Sequence, residues 1–209
     1  MADDFAAQRD RLVDRLDERR DLGPATREAV RSVPRHAFVP EDRRDRAYED
    51  RPLPIGHGQT ISAPHMVAVM ADALALEAGD EVLEVGTGCG YHAAVTAELV
   101  GEGGAVHSVE YVPELAERAR ERLDALGYDV RVHVGDGREG WPAGAPYDAA
   151  YLTCAPASVP DAVLEQVRPG GRVVAPVGTG RQRLVRLTRR ADGGVERADL
   201  GGVRFVTMQ

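Results

Sequence analysis

Three glycines and three carboxylates give this chain its clearest chemical signal. Gly86, Gly88 and Gly90 follow the segment Glu81-Val-Leu-Glu-Val85 and precede the apolar stretch Ala93 to Val100. A strand, a glycine turn and a helix in that order form a backbone corner that a ligand approaches closely. Glycine removes the Cβ that would block the approach and allows positive φ. Glu110 ends the next apolar segment, 24 residues after Gly86. An acid at that distance is placed to accept hydrogen bonds from ribose hydroxyls. Asp136, in Val134-Gly-Asp-Gly137, ends a third segment on the same rim, within reach of an adenine edge. Taken singly, the glycines are also those of an ordinary tight turn, and Glu110 that of a solvated strand end. On one rim they make a nucleotide-type site.

The ligand's charge follows from the neighbours. A dinucleotide fingerprint needs its third glycine at position 91, which is Tyr. A pyrophosphate also prefers a helix N-terminus free of acids, and Glu84 lies just before the glycines. If Glu84 is not simply a strand residue facing solvent, it suits a cationic ligand, such as the amino group and sulfonium of S-adenosylmethionine.

The elements that must hold these residues are legible in outline. Apolar spacing in Asp4 to Arg20 predicts a helix, and a second follows Gly23-Pro24 and ends before Pro34. Pro34 to Pro54 is broken by prolines and reads as loop and short helix. Strands are expected at 81–85, 105–109, 130–134, 147–152 and 172–176, with helices at 93–100, 113–126 and 160–167. Such alternation predicts an α/β, doubly wound, mostly parallel sheet of Rossmann-like type. The tail segments Leu184–Leu187 and Val203–Val206 predict an antiparallel hairpin at the sheet edge. The expected organisation is one domain, with N-terminal helices and a substrate loop over 1–78 and a cofactor-binding core over 79–209.

Composition narrows the class. At 209 residues, 43% hydrophobic and 29% charged, the chain suits one globular domain with a real core. No apolar run reaches the roughly 18 residues needed to span a bilayer. The acidic N-terminus resembles no targeting peptide, so a cytoplasmic location and no membrane association are expected. A net charge of -8 argues against a nucleic-acid partner. Cys89 and Cys154 form no disulfide framework, and no Cys/His spacing suggests a metal. Every basic residue other than histidine is arginine, which fits either a high-salt habitat or a GC-rich genome.

Several segments together resemble the protein-L-isoaspartate O-methyltransferase family. Val82-Leu-Glu-Val-Gly-Thr-Gly-Cys-Gly-Tyr-His-Ala-Ala94 is similar to its first cofactor motif. Pro54-Ile-Gly-His-Gly-Gln-Thr-Ile-Ser-Ala-Pro-His-Met66 is similar to its substrate-loop motif, with Gln59 to His65 the most specific part. Val33-Pro-Arg-His-Ala-Phe-Val-Pro40, Val134–Gly137, Ala145–Asp148, Arg168–Arg172 and Pro176–Gly178 match further blocks, so the likeness runs from Leu22 to Val206.

The resemblance implies methyl transfer from S-adenosylmethionine to the α-carboxyl of L-isoaspartyl residues in damaged proteins or peptides, by an enzyme expected to be monomeric. It places Glu84, Gly86, Thr87, Gly88, Gly90, Glu110, Tyr111, Asp136 and Gly137 at cofactor contacts. Thr60, Ile61, Ser62 and His65 become the substrate lip, with Ser62 the active-site serine and His65 lining the cofactor pocket. On the residues alone, Ser62 also reads as a helix N-cap before Met66–Met70, and His65 as a packed or capping histidine. Cys154 reads as a small buried residue at a strand end, and Cys89 as a turn residue beside the cofactor.

The chain departs from the family pattern at His57 and Cys154. With its last residue at Gln209, C-terminal residues that close the site are expected to be largely missing. Two further readings stay open: a carboxyl methyltransferase for one specific peptide, and a cofactor-binding adaptor without turnover. A nicotinamide dehydrogenase is a remote third.

Overall fold

Chain order sets the layout. In a computed structural model describing residues 2–209, α1 (Ala2–Arg20) and α2 (Pro24–Ser32) come first, then two 3-10 turns, Arg35–Ala37 and Glu41–Arg46. A short antiparallel pair follows, β1 (Leu53–Gly56) and β2 (Gln59–Ile61), and then α3 (Pro64–Leu74). The core runs β3 (Glu81–Val85), α4 (Tyr91–Val100), β4 (Ala105–Glu110), α5 (Pro113–Leu126), β5 (Val130–Val134) and β6 (Tyr147–Leu152). It ends with α6 (Asp161–Glu165), β7 (Val167–Val177), β8 (Gln182–Arg189) and β9 (Val195–Val203).

The seven-stranded sheet has the order β5-β4-β3-β6-β7-β8-β9. Strands β3 to β7 are parallel, and β8 and β9 add the expected antiparallel hairpin. All of β4 is buried, and β3 and β6 nearly so, as in a parallel sheet covered on both faces. Chain order reverses between β3 and β6, which opens a crevice at their carboxyl ends. On one face, α1 to α5 enclose a large core with Val82, Val106, Ala149 and Val174 of the sheet. On the other, Leu83, Val109, Ala150 and Val173 pack under α6 and loops. The outer strand β9 is mostly exposed and carries Glu196, Arg197 and Asp199, charges that discourage edge pairing.

Two elements differ from the sequence expectation. The second segment of the tail hairpin is β9, ending at Val203, so Val203–Val206 is not the strand. Beyond it, Ala155 donates to the Val206 carbonyl (2.8 Å) and Met208 donates to Ala155 (3.0 Å). The tail thereby adds a bridge at the end of β6. The helix expected over 160–167 is shortened to Asp161–Glu165, because Val167 pairs with Tyr147.

The N-terminal layer is fastened through buried polar groups. Asp72 of α3 accepts from Thr26 Oγ1 (2.6 Å) and from the Gly23 backbone N–H (3.1 Å). The fully buried Arg35 donates from Nε to the Ala47 carbonyl (2.8 Å) and from Nη2 to that of Arg51 (3.2 Å). Its guanidinium lies 5.0 Å from the Tyr91 ring centroid, so it ties the approach to β1 onto the start of α4. On the opposite face His133 stacks on Trp141, ring centroids 3.8 Å apart, and His107 extends the stack. Tyr147 donates to the Trp141 carbonyl (2.7 Å), closing that corner.

Candidate active site

The crevice at the β3/β6 reversal is a cavity with about 790 Å³ of empty space, its open mouth included. That is within the usual range for a small-molecule pocket. Strand β3 ends in the glycine turn, whose Gly86, Gly88 and Gly90 all have positive φ. A Cβ on Gly86 would collide with Thr153 Oγ1, which itself donates to the Gly86 carbonyl (2.5 Å). Gly86, Thr87 and Gly88 line the cavity. Gly90 instead caps the start of α4, where a Cβ would crowd Leu123 at 3.1 Å, so it serves packing.

Glu84 lines the cavity floor and is fully buried. One carboxylate oxygen accepts from the Ser108 hydroxyl, and the other, Oε1, has no partner among the described residues. Burial pushes this carboxyl up to about 8, opposed chiefly by the Ser108 hydroxyl. Ser108 also bonds Thr87 Oγ1 (2.5 Å). Tyr151 accepts from Thr96 (2.9 Å), and its ring centroid lies 4.3 Å from that of His92. Both nitrogens of His92 are buried without a partner, and burial drives the ring down to about 3, so it is neutral. Glu84 and His92 therefore bring unpaired polar atoms to one cavity, a costly arrangement unless something there pairs with them.

Glu110 sits on the rim with both oxygens engaged, accepting from the backbone N–H of Gly88 (2.8 Å) and of Val112 (3.0 Å). Each oxygen keeps a lone pair for a further donor. Tyr111 beside it also lines the cavity and is 57% exposed, a large apolar ring left at the mouth. Gly137 lines the cavity against Val85, whereas Asp136 does not. The Asp136 carboxylate accepts from the Arg138 backbone N–H (2.9 Å) and from its guanidinium, turned along its own loop. Its expected reach to the ligand edge is therefore not seen.

The hairpin β1–β2 turns at Gly56-His57-Gly58, all three with positive φ, and sends Gln59 to Ser62 across the mouth. Thr60 and Ser62 line both this cavity and a second, open groove, while Ile61 faces the cavity only. Ser62 is no helix cap: Ala63 holds that position, Pro64 follows, and no side chain bonds the helix end. His65 lines the groove and not the cavity, because Asp50 holds its Nδ1 (2.8 Å) and its backbone N–H (3.0 Å).

Cys89 is buried and Cys154 partly so, and both line the cavity. Burial pushes the Cys154 thiol up to about 12, which leaves it a poor nucleophile. Val206, Thr207, Met208 and Gln209 line the same cavity, so the tail up to Gln209 contributes to its wall. Among the described residues no cluster of three or more His, Cys, Asp or Glu is placed to hold a metal ion, and no helix is long and apolar enough to cross a membrane.

Comparison with known proteins agrees with this geometry. The family model described as protein-L-isoaspartate(D-aspartate) O-methyltransferase matches residues 7–209. Protein-L-isoaspartate O-methyltransferase 2 of Archaeoglobus fulgidus is 55% identical over 207 residues, covering 99% of this chain and 94% of the relative. The Methanopyrus kandleri protein-L-isoaspartate O-methyltransferase is 51% identical, covering 100% and 95%. A solved protein-L-isoaspartate O-methyltransferase superimposes with a TM-score of 0.89 at 31% identity; it covers 95% of this chain, which spans 65% of the length of that one. A Plasmodium falciparum structure, described as a protein-L-isoaspartate O-methyltransferase in complex with S-adenosyl-L-homocysteine, matches at a TM-score of 0.83 and 21% identity, a likeness of fold. It covers 96% of this chain and 98% of its own. By motif, architecture and relatives, this chain belongs to the protein-L-isoaspartate(D-aspartate) O-methyltransferase family.

Proposed function

We propose that this chain is an enzyme that transfers a methyl group from S-adenosylmethionine to the α-carboxyl of L-isoaspartyl residues in damaged proteins or peptides. One observation carries the reading: Thr60 and Ser62 stand on the partition between the enclosed cavity and the open groove, facing both. A donor held on one side and a peptide laid on the other would meet at those two hydroxyls.

The cavity fits the cofactor. Its amino-acid end carries a cationic donor and an anionic acceptor, the partners that Glu84 Oε1 and a neutral His92 N–H lack. Gly86, Thr87 and Gly88 would give its sugar a close backbone approach, Glu110 would accept from the ribose hydroxyls, and Tyr111 and Gly137 would flank the base. Asp136 enters the proposal only as the residue that shapes the turn at Gly137. When bound, the cofactor supplies an electrophilic methyl on a sulfonium sulfur.

Little acid–base chemistry is asked of the chain. A carboxylate is ionised above about pH 4 and is already the nucleophile. One oxygen takes the methyl group, and no proton has to leave. The residues therefore position and desolvate. The hydroxyls of Thr60 and Ser62 would hold the carboxylate, with Ile61 and the tail at 206–209 screening water. Ser62 is proposed to orient the nucleophile and not to attack. The ester formed then loses methanol as the neighbouring backbone nitrogen closes a succinimide, which water opens partly to normal aspartate. That step needs no enzyme.

Within the single domain, residues 1–78 would carry the lip and residues 79–209 the cofactor seat. A cytoplasmic monomer is part of the proposal, checked by sedimentation and cell fractionation. The central experiment is transfer of labelled methyl to two peptides differing only in a normal or an isomerised aspartyl linkage. Label on the isomerised peptide alone is expected; cofactor binding with label on neither would point to an adaptor. Ser62→Ala is expected to lower kcat about tenfold or more while leaving cofactor affinity in place. Full activity in that variant would remove Ser62 from the mechanism.

A further inference from the structure

The groove beyond the Thr60–Ser62 partition has a charge opposite to that of the molecule. The chain carries 34 acidic residues against 26 basic ones. Yet the groove is lined by Arg181, Arg183, Arg204 and His65 and by no Asp or Glu. Two of these four are already answered. His65 is held by Asp50 (2.8 Å), and Arg183 by Asp199 (2.7 Å) across the β8–β9 hairpin. Arg181, in the turn before β8, and Arg204, just past β9, make no ion pair among the described residues. Outside the groove some arginines are met by carboxylates, as at Arg27–Asp17, Arg31–Asp14 and Arg168–Asp148, and others face solvent alone, so what sets the groove apart is three guanidiniums on a wall that holds no carboxylate.

We propose that this groove selects isoaspartyl peptides with acidic side chains flanking the damaged residue, Arg181 and Arg204 being the specificity-determining cations. The inference rests on the methyl-transfer reading of the same site and names its substrate class more closely. At long range a chain of net charge -8 repels an acidic peptide. Within a Debye length of about 8 Å at physiological salt, the two unpaired guanidiniums reverse that preference. Partly exposed pairs are individually weak, each changing affinity by about two- to fivefold, so about tenfold is expected from both together. The effect belongs in KM, since neither guanidinium lines the cofactor cavity.

The test compares three isoaspartyl peptides of one sequence, with glutamate, serine or lysine at the positions on either side. The expected order of kcat/KM is glutamate, serine, lysine, with about a tenfold span at low salt that collapses in 0.5 M sodium chloride. Arg181→Gln with Arg204→Gln should level the series, and Arg181→Lys with Arg204→Lys should keep its order. Cofactor affinity, measured calorimetrically, reports whether each variant is folded. Equal kcat/KM across the series in the parent protein, or an order that survives the double glutamine variant, would overturn the inference. Failure to methylate even the serine peptide would overturn the functional reading beneath it. Binding of the fluorescent glutamate peptide over the lysine peptide, measured without turnover, separates the two failures.

Discussion

The cavity and the groove share a partition formed by Thr60, Ser62, Thr153, Val206 and Thr207, but they are built by different means. The cavity's floor and rim come from strand ends and the turns that follow them, within 84–92, 109–111 and 153–154. Glu84, Thr87, Ser108 and Glu110 are buried there and bonded within the seat: Glu84 to Ser108, Ser108 to Thr87, Glu110 to two backbone N–H groups. The groove is assembled from segments near 52, 60–66, 180–183 and 202–207, and its charged side chains stand in solvent. A seat whose geometry is fixed by sheet topology can demand one ligand. A surface of exposed guanidiniums can only bias among many, which suits substrates that share one lesion and differ in sequence.

Substitutions can break or sharpen that contrast. The largest effect is expected at the glycine turn. Gly86→Val adds a side chain where even a Cβ meets Thr153, at a φ of +98° that L residues rarely adopt. Cofactor affinity should fall by more than about a hundredfold, with a loss of roughly 1–3 kcal/mol in stability, by calorimetry and denaturant unfolding. Near-parent binding would mean that the turn is softer than its packing implies.

Next comes Glu84→Gln. Removing a charge-assisted contact should weaken cofactor binding about tenfold to a hundredfold. The pH dependence is more telling. In the free protein the Glu84 carboxyl sits above its ordinary 4.5, at about 8, so its contribution to stability is whole below 4.5 and is lost as pH rises through 8. The free parent should therefore lose Tm from about pH 5 to about pH 8 and level off above that, and the glutamine variant should lose less. Cofactor affinity of the parent should rise over the same interval as Glu84 ionises, and that of the variant should stay flat. On the acid side His92 and His133, lowered from 6.5 to about 3 and about 4, contribute stability that is whole above 6.5 and is lost as pH falls through those values.

The smallest effect is expected in the groove. Asp199→Asn releases Arg183 from an exposed pair and should leave Tm unchanged within error. It should nevertheless widen the gap between glutamate- and lysine-flanked peptides, because a third cation becomes free. A drop in Tm would show that the pair fastens β8 to β9, and an unchanged gap would remove Arg183 from the groove's selectivity.

The same contrast governs what could be read from the sequence. Buried strands announce themselves as apolar runs and their ends as glycine and acid, so β3 to β6 are legible, and with them the placing of Glu84, Gly86 and Glu110 at one crevice. Asp136 is held by local turn chemistry, its carboxylate accepting from the backbone N–H two residues on, an arrangement that the motif spacing does not announce. Ser62 resembled a cap since it lies just ahead of α3, but Ala63-Pro64 starts that helix. The tail's return to Ala155 is a pairing across some fifty residues with no periodic signature. His92 lines the cavity although no motif spacing singles it out. Its one clue is a polar side chain in the first turn of α4, ahead of the apolar run Ala93–Val95. The expectation that His65 would face the cofactor failed because nothing in the order of residues foretells that Asp50 lies beside it.

The stack of His133 on Trp141 provides an optical gauge. Trp141 is the chain's single tryptophan, it lies on the face away from the α1 to α5 core, and it is absent from the cavity wall. Its emission should ignore the arrival of a ligand at Glu84, yet dim as a protonated imidazole forms beneath the indole near pH 4. Fluorescence can thus follow the integrity of the sheet's far corner while calorimetry follows occupancy of the cavity, on one unlabelled sample.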